Sequence, residues 1–280
     1  MAQKVWMITG ASRGFGAEIS KAVLATGDKV IASARKVEGL DHLSDSENLF
    51  KVALDVTNEE QVIKAVNSAV KKFGRIDVLV NNAGYGLLGA VEESSAKEIE
   101  NLYRTNVFGL LNVTRAVLPT MRKQRSGHII NMSSVGGYAS GPGFGLYCST
   151  KFAVEGIGEA LSGELAPLGI HATIVEPGYF RTDFLDSSSL DTTKERISDY
   201  AETVGKTRQV AAEKNRQQPG DPKKLAKALI QLVNVPDPPV RLPLGTDTLA
   251  RIAEKNAFVD KETAKWHAVG VHRFLINTSC

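Results

Sequence analysis

Short apolar runs recur along the chain, separated by longer segments in which apolar residues return every three or four positions. Continuous apolar runs are typical of strands buried on both faces, and the three-to-four spacing is typical of amphipathic helices. The predicted strands cover residues 4–9, 29–33, 50–54, 76–81, 127–132, 170–176 and 240–244. The predicted helices cover about 14–26, 58–73, 95–122, 147–167 and 222–234.

This alternation of strands and helices predicts an α/β fold: a doubly wound parallel β-sheet of about seven strands with helices on both faces. No linker rich in proline or glycine precedes residue 217, so residues 1–280 are predicted to form a single domain. Ligands of such sheets bind beyond the carboxyl ends of the strands. Polar or glycine residues stand at or just after four predicted strand ends, namely Gly10, Asp55, Asn81 and Ser134.

Two later segments depart from the alternation. Residues 183–220 are polar and charged, with an apolar stripe at helical spacing from Ile197 to Val204, and we interpret them as a lid over a substrate. A solvated surface helix is the alternative interpretation. Residues 246–280 form a C-terminal extension that opens with a polar, helical pattern.

Composition narrows the class of protein. The net charge is +3 and the charges are dispersed, so no nucleic-acid partner is expected. No apolar run reaches 18 residues, and the first strand begins almost at Met1, so we expect no membrane span, no signal peptide and a cytoplasmic location. Cys148 and Cys280 provide no disulfide framework, and the histidines have no metal-ligand spacing, so no metal is expected.

Tyr147 and Lys151 carry the most informative candidate chemistry. They are four residues apart and therefore share one face of a helix, while Ser134 precedes them by thirteen residues. A nearby ammonium favours the phenolate and lowers the tyrosine pKa, and a serine hydroxyl can donate to a carbonyl oxygen. Together the three groups suit proton transfer to or from an oxygen, as in the interconversion of a ketone and an alcohol.

The first strand is followed by a glycine-rich turn, Gly10-Ala11-Ser12-Arg13-Gly14-Phe15-Gly16, and then by a helix. Glycines allow a tight turn and close approach to a pyrophosphate, and a helix N-terminus presents free N–H groups to phosphates. A dinucleotide site is therefore predicted. The second strand ends at Arg35 without a carboxylate, so Arg35 and Arg13 favour the 2′-phosphate of NADP(H) over the free ribose hydroxyl of NAD.

These motifs, in this order, resemble the short-chain dehydrogenase/reductase family. The resemblance rests on Thr9-Gly10-x-x-x-Gly14-x-Gly16, Asn81-Asn82-Ala83-Gly84, Asn106, Ser134, Tyr147, Lys151 and Pro177-Gly178, and it covers roughly residues 4–245. It implies a Rossmann-type fold in the family's single-domain branch. Ser134-Val-Gly-Gly and Tyr147-Cys-x-Ser/Thr-Lys-Phe-Ala-Val-Glu-Gly are most similar to the steroid- and retinoid-dehydrogenase-like subgroup and to bacterial carbonyl reductases.

The resemblance implies a role for each matching residue. The implied catalytic residues are Asn106, Ser134, Tyr147 and Lys151, with Asn106 holding a water beside the lysine; a purely structural buried Asn is the alternative. The implied cofactor-binding residues are Gly10, Ser12, Arg13, Gly14, Phe15, Gly16, Arg35, Asp55, Val56, Asn82, Ala83, Gly84, Tyr147, Lys151, Pro177, Gly178 and Thr182. For Asp55, an adenine contact and a simple acid at a helix start are both open.

The expected substrate is a small-molecule carbonyl or alcohol in an apolar, aromatic pocket formed by Ser134, Tyr138, Phe144, Tyr147, Phe180 and Phe184. The prediction is an NADPH-dependent carbonyl reductase that also runs as an alcohol dehydrogenase. Reduction of 3-oxoacyl groups on a carrier protein, with Arg122, Lys123 and Arg125 meeting the carrier, is one alternative; a sensor that binds NADP(H) without turnover is another. The tail lacks the strand that many tetrameric members use for assembly, which puts a tetramer in doubt and leaves monomer and homodimer open.

Overall fold

A seven-stranded, wholly parallel sheet forms the centre of the computed structural model, which describes residues 3–272. Its strands are β1 (Val5–Ile8), β2 (Lys29–Ala34), β3 (Leu49–Ala53), β4 (Val78–Asn81), β6 (Gly127–Met132), β7 (Ile170–Pro177) and β9 (Arg241–Leu244). They lie in the order β3-β2-β1-β4-β6-β7-β9. The chain begins with β1 in the middle of the sheet, and the direction of strand addition reverses there. Strands β2 and β3 lie on one side of β1, and the later strands lie on the other. The predicted doubly wound Rossmann-type fold is confirmed.

Helices cover both faces of the sheet, and each face has its own apolar core. On one face, α1 (Gly14–Ala25) and α7 (Pro222–Leu232) pack on side chains that include Trp6 and Ile8. On the other face, α2 (Glu59–Phe73), α4 (Leu110–Gln124) and α5 (Gly145–Leu165) pack on side chains that include Met7. Alternate residues of β1 thus enter opposite cores, as the period of two in a strand requires.

Local sequence sets the boundaries of several helices. The Asn58 side chain caps α2 by accepting from the Gln61 N–H at 3.0 Å, and Gly74 ends the helix with a left-handed φ of 79°. Two acidic residues stand in the first turn of α2 and two lysines in the last, which complements the helix dipole. A reciprocal capping box between Ser95 and Glu98 starts α3 (Ala96–Tyr103), as the sequence pattern predicts.

The predicted single helix over 95–122 is interrupted. Between α3 and α4 the backbone widens into a π-helical turn over Arg104–Gly109, which contains Asn106. A π-turn inserts one residue and changes the face to which the following side chains point, and such turns are frequent at functional sites. The 3.6-residue apolar pattern predicted the helix but not this insertion.

Two short strands that the sequence did not predict join residues 183–220, the segment predicted as a lid and called the lid below, to the body. Strand β5 (Gly86–Leu88) follows β4, and β8 (Leu190–Thr192) lies within the lid and pairs with it in parallel. The helical parts of the lid are 3₁₀ turns at Asp183–Leu185 and Ser198–Tyr200, a π-turn at Ala201–Gly205 and α6 (Lys206–Lys214). The helical interpretation of the apolar stripe is therefore correct, but the lid also contributes a strand.

The C-terminal extension is a single long helix, α8 (Thr246–His272). Its first turns pack on the body, with Thr248 fully buried, whereas residues 256–271 are exposed on every face. The remaining part of the predicted extension, 273–280, lies outside the described residues. No helix among residues 3–272 is both long and apolar enough to cross a membrane.

Candidate active site

A cavity of about 1200 Å³ opens at the carboxyl ends of the parallel strands, beneath the lid. All but three of the predicted site residues line its wall; the exceptions are Gly16, Asn106 and Tyr138. The cavity has a glycine-rich half beside β1 and β4 and an aromatic half beside α5 and the lid. Residues that are far apart in the sequence thus meet where the topology of the sheet predicts a ligand.

Tyr147 and Ser134 meet where the two halves join. Tyr147 lies in the first turn of α5 and is 7% exposed, and the Ser134 hydroxyl is within hydrogen-bonding reach of its hydroxyl. Burial raises the pKa of Tyr147, and the bond to Ser134 opposes that rise. The sequence argument expected the neighbouring lysine to lower this pKa. In the structure desolvation of the phenol is the larger effect, so Tyr147 is held protonated and able to donate.

Lys151 lies one turn further along α5, on the same face. Its Nζ donates to the Met132 carbonyl oxygen at 2.8 Å and stands 5.7 Å from the centre of the Tyr147 ring. The residue is 8% exposed, and burial lowers the pKa of the ammonium to about 8. Lys151 is therefore a buried cation held at a fixed position between the end of β6 and the tyrosine.

Asn106 stands behind this pair in the π-turn and is buried. Its Oδ1 accepts from the Tyr85 N–H at 3.0 Å, and its Nδ2 donates to the Tyr85 carbonyl oxygen at 2.9 Å and to Thr150 Oγ1 at 3.1 Å. A Cβ on Gly84 would lie 3.1 Å from Asn106 Oδ1 and 3.9 Å from Lys151 Nζ. Glycine at 84 therefore keeps the space between the amide and the lysine open.

The glycine-rich turn fits a dinucleotide. Gly10 and Gly14 have left-handed φ values of 65° and 55°, and a Cβ on Gly16 would collide with the Gly10 carbonyl oxygen. The Asn82 amide braces the turn by donating to the carbonyl oxygens of Thr9 and Gly10 at 2.9 and 3.0 Å. The first turn of α1 carries no acidic residue, so its free N–H groups face the cavity without a competing carboxylate.

The basic residues at this end of the cavity differ in their surroundings. Arg35 follows β2 and lines the cavity wall, as do Asp55 and Val56 after β3. Arg13 reaches across to the lid instead: Nε donates to Ser189 Oγ at 2.8 Å, and Nη2 bonds the Ser188 carbonyl oxygen. The Asp55 carboxylate accepts from the N–H and hydroxyl of Thr57. Its side chain therefore supports the loop before α2, and because Asp55 also lines the cavity wall, the adenine contact stays a prediction.

The segment after β7 closes the cavity from the other side. Pro177 ends the strand, Gly178 follows it, and the Thr182 hydroxyl caps a short 3₁₀ turn at Asp183–Leu185 by accepting from the Phe184 N–H. The rings of Phe15 and Phe180 pack edge to face with centroids 5.4 Å apart. The glycine-rich turn and this segment thus flank the same space.

Two aromatic rings flank the ring of Tyr147. The ring centroid of Tyr147 lies 6.2 Å from that of Phe144 and 5.3 Å from that of Phe184. Tyr138 is not part of this group, because its hydroxyl donates to Asn256 Oδ1 of α8 and its side chain lines a separate surface depression. The predicted aromatic pocket is therefore assembled without Tyr138.

The sequence did not point to several residues in the cavity wall. The lid contributes Thr207, Val210 and Ala211 from α6, and α8 contributes Asp247, Arg251 and Glu254. No motif marks them, because their positions depend on how two late helices pack. A Cβ on Gly178 would collide with Asp247, whose Oδ2 also accepts from the Tyr179 N–H at 2.7 Å, so this close contact anchors the start of α8 at the cavity.

Among the described residues, no group of three or more histidine, cysteine, aspartate or glutamate side chains could hold a metal ion.

A doubly wound sheet with a dinucleotide cradle, joined to a Ser–Tyr–Lys group whose tyrosine and lysine are buried, defines an oxidoreductase that uses a nicotinamide cofactor. Residues 4–193 match the model of the short chain dehydrogenase family. The chain belongs to that family.

Curated relatives agree over nearly the whole chain. The chain is 39% identical over 272 residues to oxidoreductase BOA17 of Botryotinia fuckeliana strain B05.10, covering 96% of this chain and 98% of that protein. It is also 39% identical over 248 residues to the 3-ketodihydrosphingosine reductase of Bacteroides thetaiotaomicron strain VPI-5482, covering 88% and 89% of the two chains.

Solved structures give the same result. A short-chain dehydrogenase from Streptomyces avermitilis superposes with a TM-score of 0.92 at 40% identity, covering 98% of this chain and all of that one. ElxO with NADP bound gives 0.73 at 30% identity, covering 89% of this chain and all of that one. The 3-ketoacyl-(acyl-carrier-protein) reductase of Brucella melitensis complexed with NADH gives 0.72 at 27% identity, covering 86% and 96%. Both complexes contain a nicotinamide cofactor, but one contains NADP and the other NADH.

Proposed function

We propose that this protein is an NADPH-dependent carbonyl reductase for apolar ketones or aldehydes, and that it also oxidises the corresponding alcohols. The observation that carries the proposal is the placement of Tyr147, which lines the cavity where the glycine-rich cradle meets the aromatic half. A proton donor at this boundary can reach the oxygen of a substrate carbonyl group whose carbon faces the cradle.

Each residue of the site has a defined task in this proposal. A bound nicotinamide supplies the hydride. The Ser134 hydroxyl donates a hydrogen bond to the substrate oxygen, which orients it, and Tyr147 transfers its proton to that oxygen as negative charge develops there. The Lys151 ammonium stabilises the phenolate that remains. Asn106 holds the Tyr85 backbone and so keeps the space beside Lys151 open to water. The proton that Tyr147 transfers can then be replaced.

Residues of the cradle would hold the cofactor. The turn Gly10–Gly16 and the N-terminus of α1 suit the pyrophosphate, and Asn82 and Gly84 border the adjoining space. The support for NADP(H) over NAD(H) is the cationic end of β2, where Arg35 stands in the cavity wall without a neighbouring acid at its own strand end. One guanidinium group can bind two phosphate oxygens at once through parallel N–H hydrogen bonds.

The carrier-protein alternative receives less support from the structure. Arg122, Lys123 and Arg125 stand at the C-terminal end of α4, immediately before β6 begins. They therefore lie at the amino-terminal edge of the parallel sheet, whereas the cavity opens at the carboxyl edge. A carrier docked on these residues could not deliver an acyl group to Tyr147.

The test is a panel of purified ketones and aldehydes, aliphatic, aromatic and polycyclic, assayed by the decrease of NADPH absorbance. Turnover of apolar members, with kcat/KM at least about tenfold higher for NADPH than for NADH, is expected. Tight NADPH binding without turnover of any carbonyl would instead favour a cofactor-sensing protein.

A further inference from the structure

Helix α5 carries four ionisable side chains at every fourth position: Tyr147, Lys151, Glu155 and Glu159. Residues at this spacing share one face of a helix. The first two line the active-site cavity, whereas Glu155 and Glu159 line a second, separate depression of about 620 Å³. The chemistry proposed above uses only the first two.

Glu155 is buried as deeply as the catalytic lysine. It is 4% exposed, and its Oε2 accepts from Arg241 Nε of β9 at 3.0 Å. The same guanidinium donates from Nη1 to Glu159 Oε1 at 2.7 Å and lies 3.2 Å from Glu176 Oε1 of β7. Glu159 is the solvent-exposed end of the stripe. Arg241 therefore gathers three carboxyl groups from two different elements.

Two of these carboxyl groups, Glu155 and Glu176, are neighbours. Glu155 and Glu176 are within hydrogen-bonding reach of each other, and both are buried. Burial, and then the negative charge of Glu155, raise the pKa of Glu176 to about 7, against the opposing effect of Arg241. Two buried carboxyl groups in contact are stable when they share one proton. Burial thus favours the neutral, protonated form of Glu176.

The lysine and this carboxyl pair are attached to neighbouring positions of β6 and β7. Lys151 donates to the carbonyl oxygen of Met132, Met132 is the register partner of Val175, and Glu176 follows Val175 directly. Burial lowers the pKa of Lys151 to about 8, and the charge of Glu155 opposes that fall. The remaining charged groups around Glu155 are Arg241 of β9, Glu159 of α5, and Lys255 and Asp260 of α8 at the rim of the depression.

Glu155 also has an oxygen without a partner among the described residues. Its Oε1 and the buried Ser133 Oγ both lack hydrogen bonds, and a Cβ on Gly137 would lie 3.0 Å from the first and collide with the second. The Glu155 charge is therefore only partly satisfied by Arg241. An incompletely neutralised carboxylate acts at longer range on the cation one helical turn away, because the interior screens charges weakly.

We propose that Glu155 is a positioning residue for catalysis: its carboxylate keeps the buried Lys151 ammonium charged, so that Lys151 can support proton transfer by Tyr147. Glu155 acts through Lys151 and touches neither substrate nor cofactor. The inference rests on the proposed carbonyl reductase function, in which Lys151 must be a cation.

The experiment compares Glu155→Gln with Glu159→Gln, which alters the exposed partner of the same arginine. The pH profile of kcat/KM for NADPH-dependent carbonyl reduction is measured for both variants and for the unmodified protein. In Glu155→Gln the Lys151 cation loses its proton more easily, so the high-pH limb should move down by roughly one pH unit or more. At pH 8 kcat should fall while the carbonyl KM stays near its original value. Glu159→Gln should leave the limb in place.

A direct titration separates this proposal from the function on which it rests. Lysine side chains labelled with ¹³C at Cε are followed by NMR from pH 6 to pH 11, and the Lys151 signal is identified by its loss in Lys151→Met. The Lys151 titration should move to lower pH in Glu155→Gln even if no carbonyl substrate is found. Should Glu155→Gln fail to fold, Glu155→Asp replaces it, with a smaller shift in the same direction. An unchanged Lys151 titration, or an equal shift in Glu159→Gln, would overturn the proposal.

Discussion

Arg208 of the lid and Glu93 of the body form a buried ion pair. The Glu93 carboxylate also accepts from the backbone N–H groups of Ala90 at 2.8 Å and Ile197 at 2.9 Å, and it is 1% exposed. One carboxylate thus joins the loop after β5 to two parts of the lid. The short pairing of β5 with β8 continues the same connection.

Replacing Glu93 should loosen the lid. Glu93→Gln leaves the Arg208 cation without a counter-ion in a low-dielectric site, which costs about 3 kcal/mol or more. We expect a lower Tm and a higher KM for the carbonyl. Glu92→Gln is the matched control, because Glu92 also bonds the lid, through the Tyr200 hydroxyl, but at the exposed surface. Equal effects of the two substitutions on KM would refute the anchoring role of Glu93.

The same carboxylate makes the lid sensitive to acid. Hydrogen bonds from two backbone N–H groups and from Arg208 hold the pKa of Glu93 at about 2, against the effect of burial. Because the folded-state pKa lies below the unfolded value of about 4.3, the stabilisation is complete above that value and is lost as the pH falls through about 2. The slope of unfolding free energy against pH between 4.5 and 2 should be smaller in Glu93→Gln.

Tyr147→Phe tests the proton donor. The variant keeps the ring and its contacts with Phe144 and Phe184 but has no hydroxyl to transfer, so kcat should fall by about 10²–10⁴. The NADPH dissociation constant should change little. Tyr103→Phe is the control: its hydroxyl donates to Ser149 Oγ outside the cavity wall, and its loss should leave kcat nearly unchanged. Near-normal turnover in Tyr147→Phe would remove Tyr147 from the mechanism.

Arg35→Asp tests the choice of cofactor. The carboxylate removes a charge-assisted contact worth about 1.5–3 kcal/mol, so kcat/KM for NADPH should fall by about tenfold to a hundredfold relative to NADH. Lys36→Asp is the control, because Lys36 is exposed and outside the cavity wall. An unchanged cofactor ratio in Arg35→Asp would mean that the cation at this strand end does not bind the 2′-phosphate.

Gly16→Ala tests the shape of the cradle. The added methyl group would collide with the Gly10 carbonyl oxygen, and overpacking of this kind costs about 1–3 kcal/mol. NADPH affinity, measured by fluorescence titration, should fall by about tenfold or more. Gly163→Ala in α5 is the control: its Cβ would have no neighbour within 4 Å, and alanine should stabilise the helix by about 0.5–1 kcal/mol. Unaltered NADPH binding by Gly16→Ala would contradict the cradle.

We expect His128 to make a second region sensitive to acid. It lies near the start of β6, at the end of the sheet opposite the cavity. Its Nε2 is 2.9 Å from Thr173 Oγ1, and burial lowers the pKa of the ring to about 3. The unfolded chain binds a proton below about pH 6.5 that the folded chain does not, so stability falls with pH below that value by up to about 1.4 kcal/mol per unit. His128→Gln should flatten this slope between pH 6.5 and 3, whereas His171→Gln, at an exposed position, should change it little.

The sequence predicted the seven central strands to within two residues, because a strand covered on both faces must be a continuous apolar run. It also predicted that the candidate site residues meet at one edge of the sheet. Gly10 and Ser134 follow the ends of strands, and Tyr147 lies in the first turn of a helix. The order of elements alone therefore brings all three to one edge of the sheet. The spacing of Tyr147 and Lys151 likewise fixes their common face. These are local properties, and local spacing specifies them.

The tertiary structure decided what depends on contacts between distant segments. The π-turn at Asn106, the pairing of β5 with β8 and the anchoring of the lid by Glu93 leave no periodic trace, because each results from one packing contact. Tyr138 shows the limit most clearly: its position near Ser134 predicted a pocket residue, yet α8 engages its hydroxyl through Asn256. The raised pKa of Glu176 depends on desolvation, the low pKa of Glu93 depends on its hydrogen bonds, and the wall contributed by α8 depends on packing. All three exist only once the chain has folded.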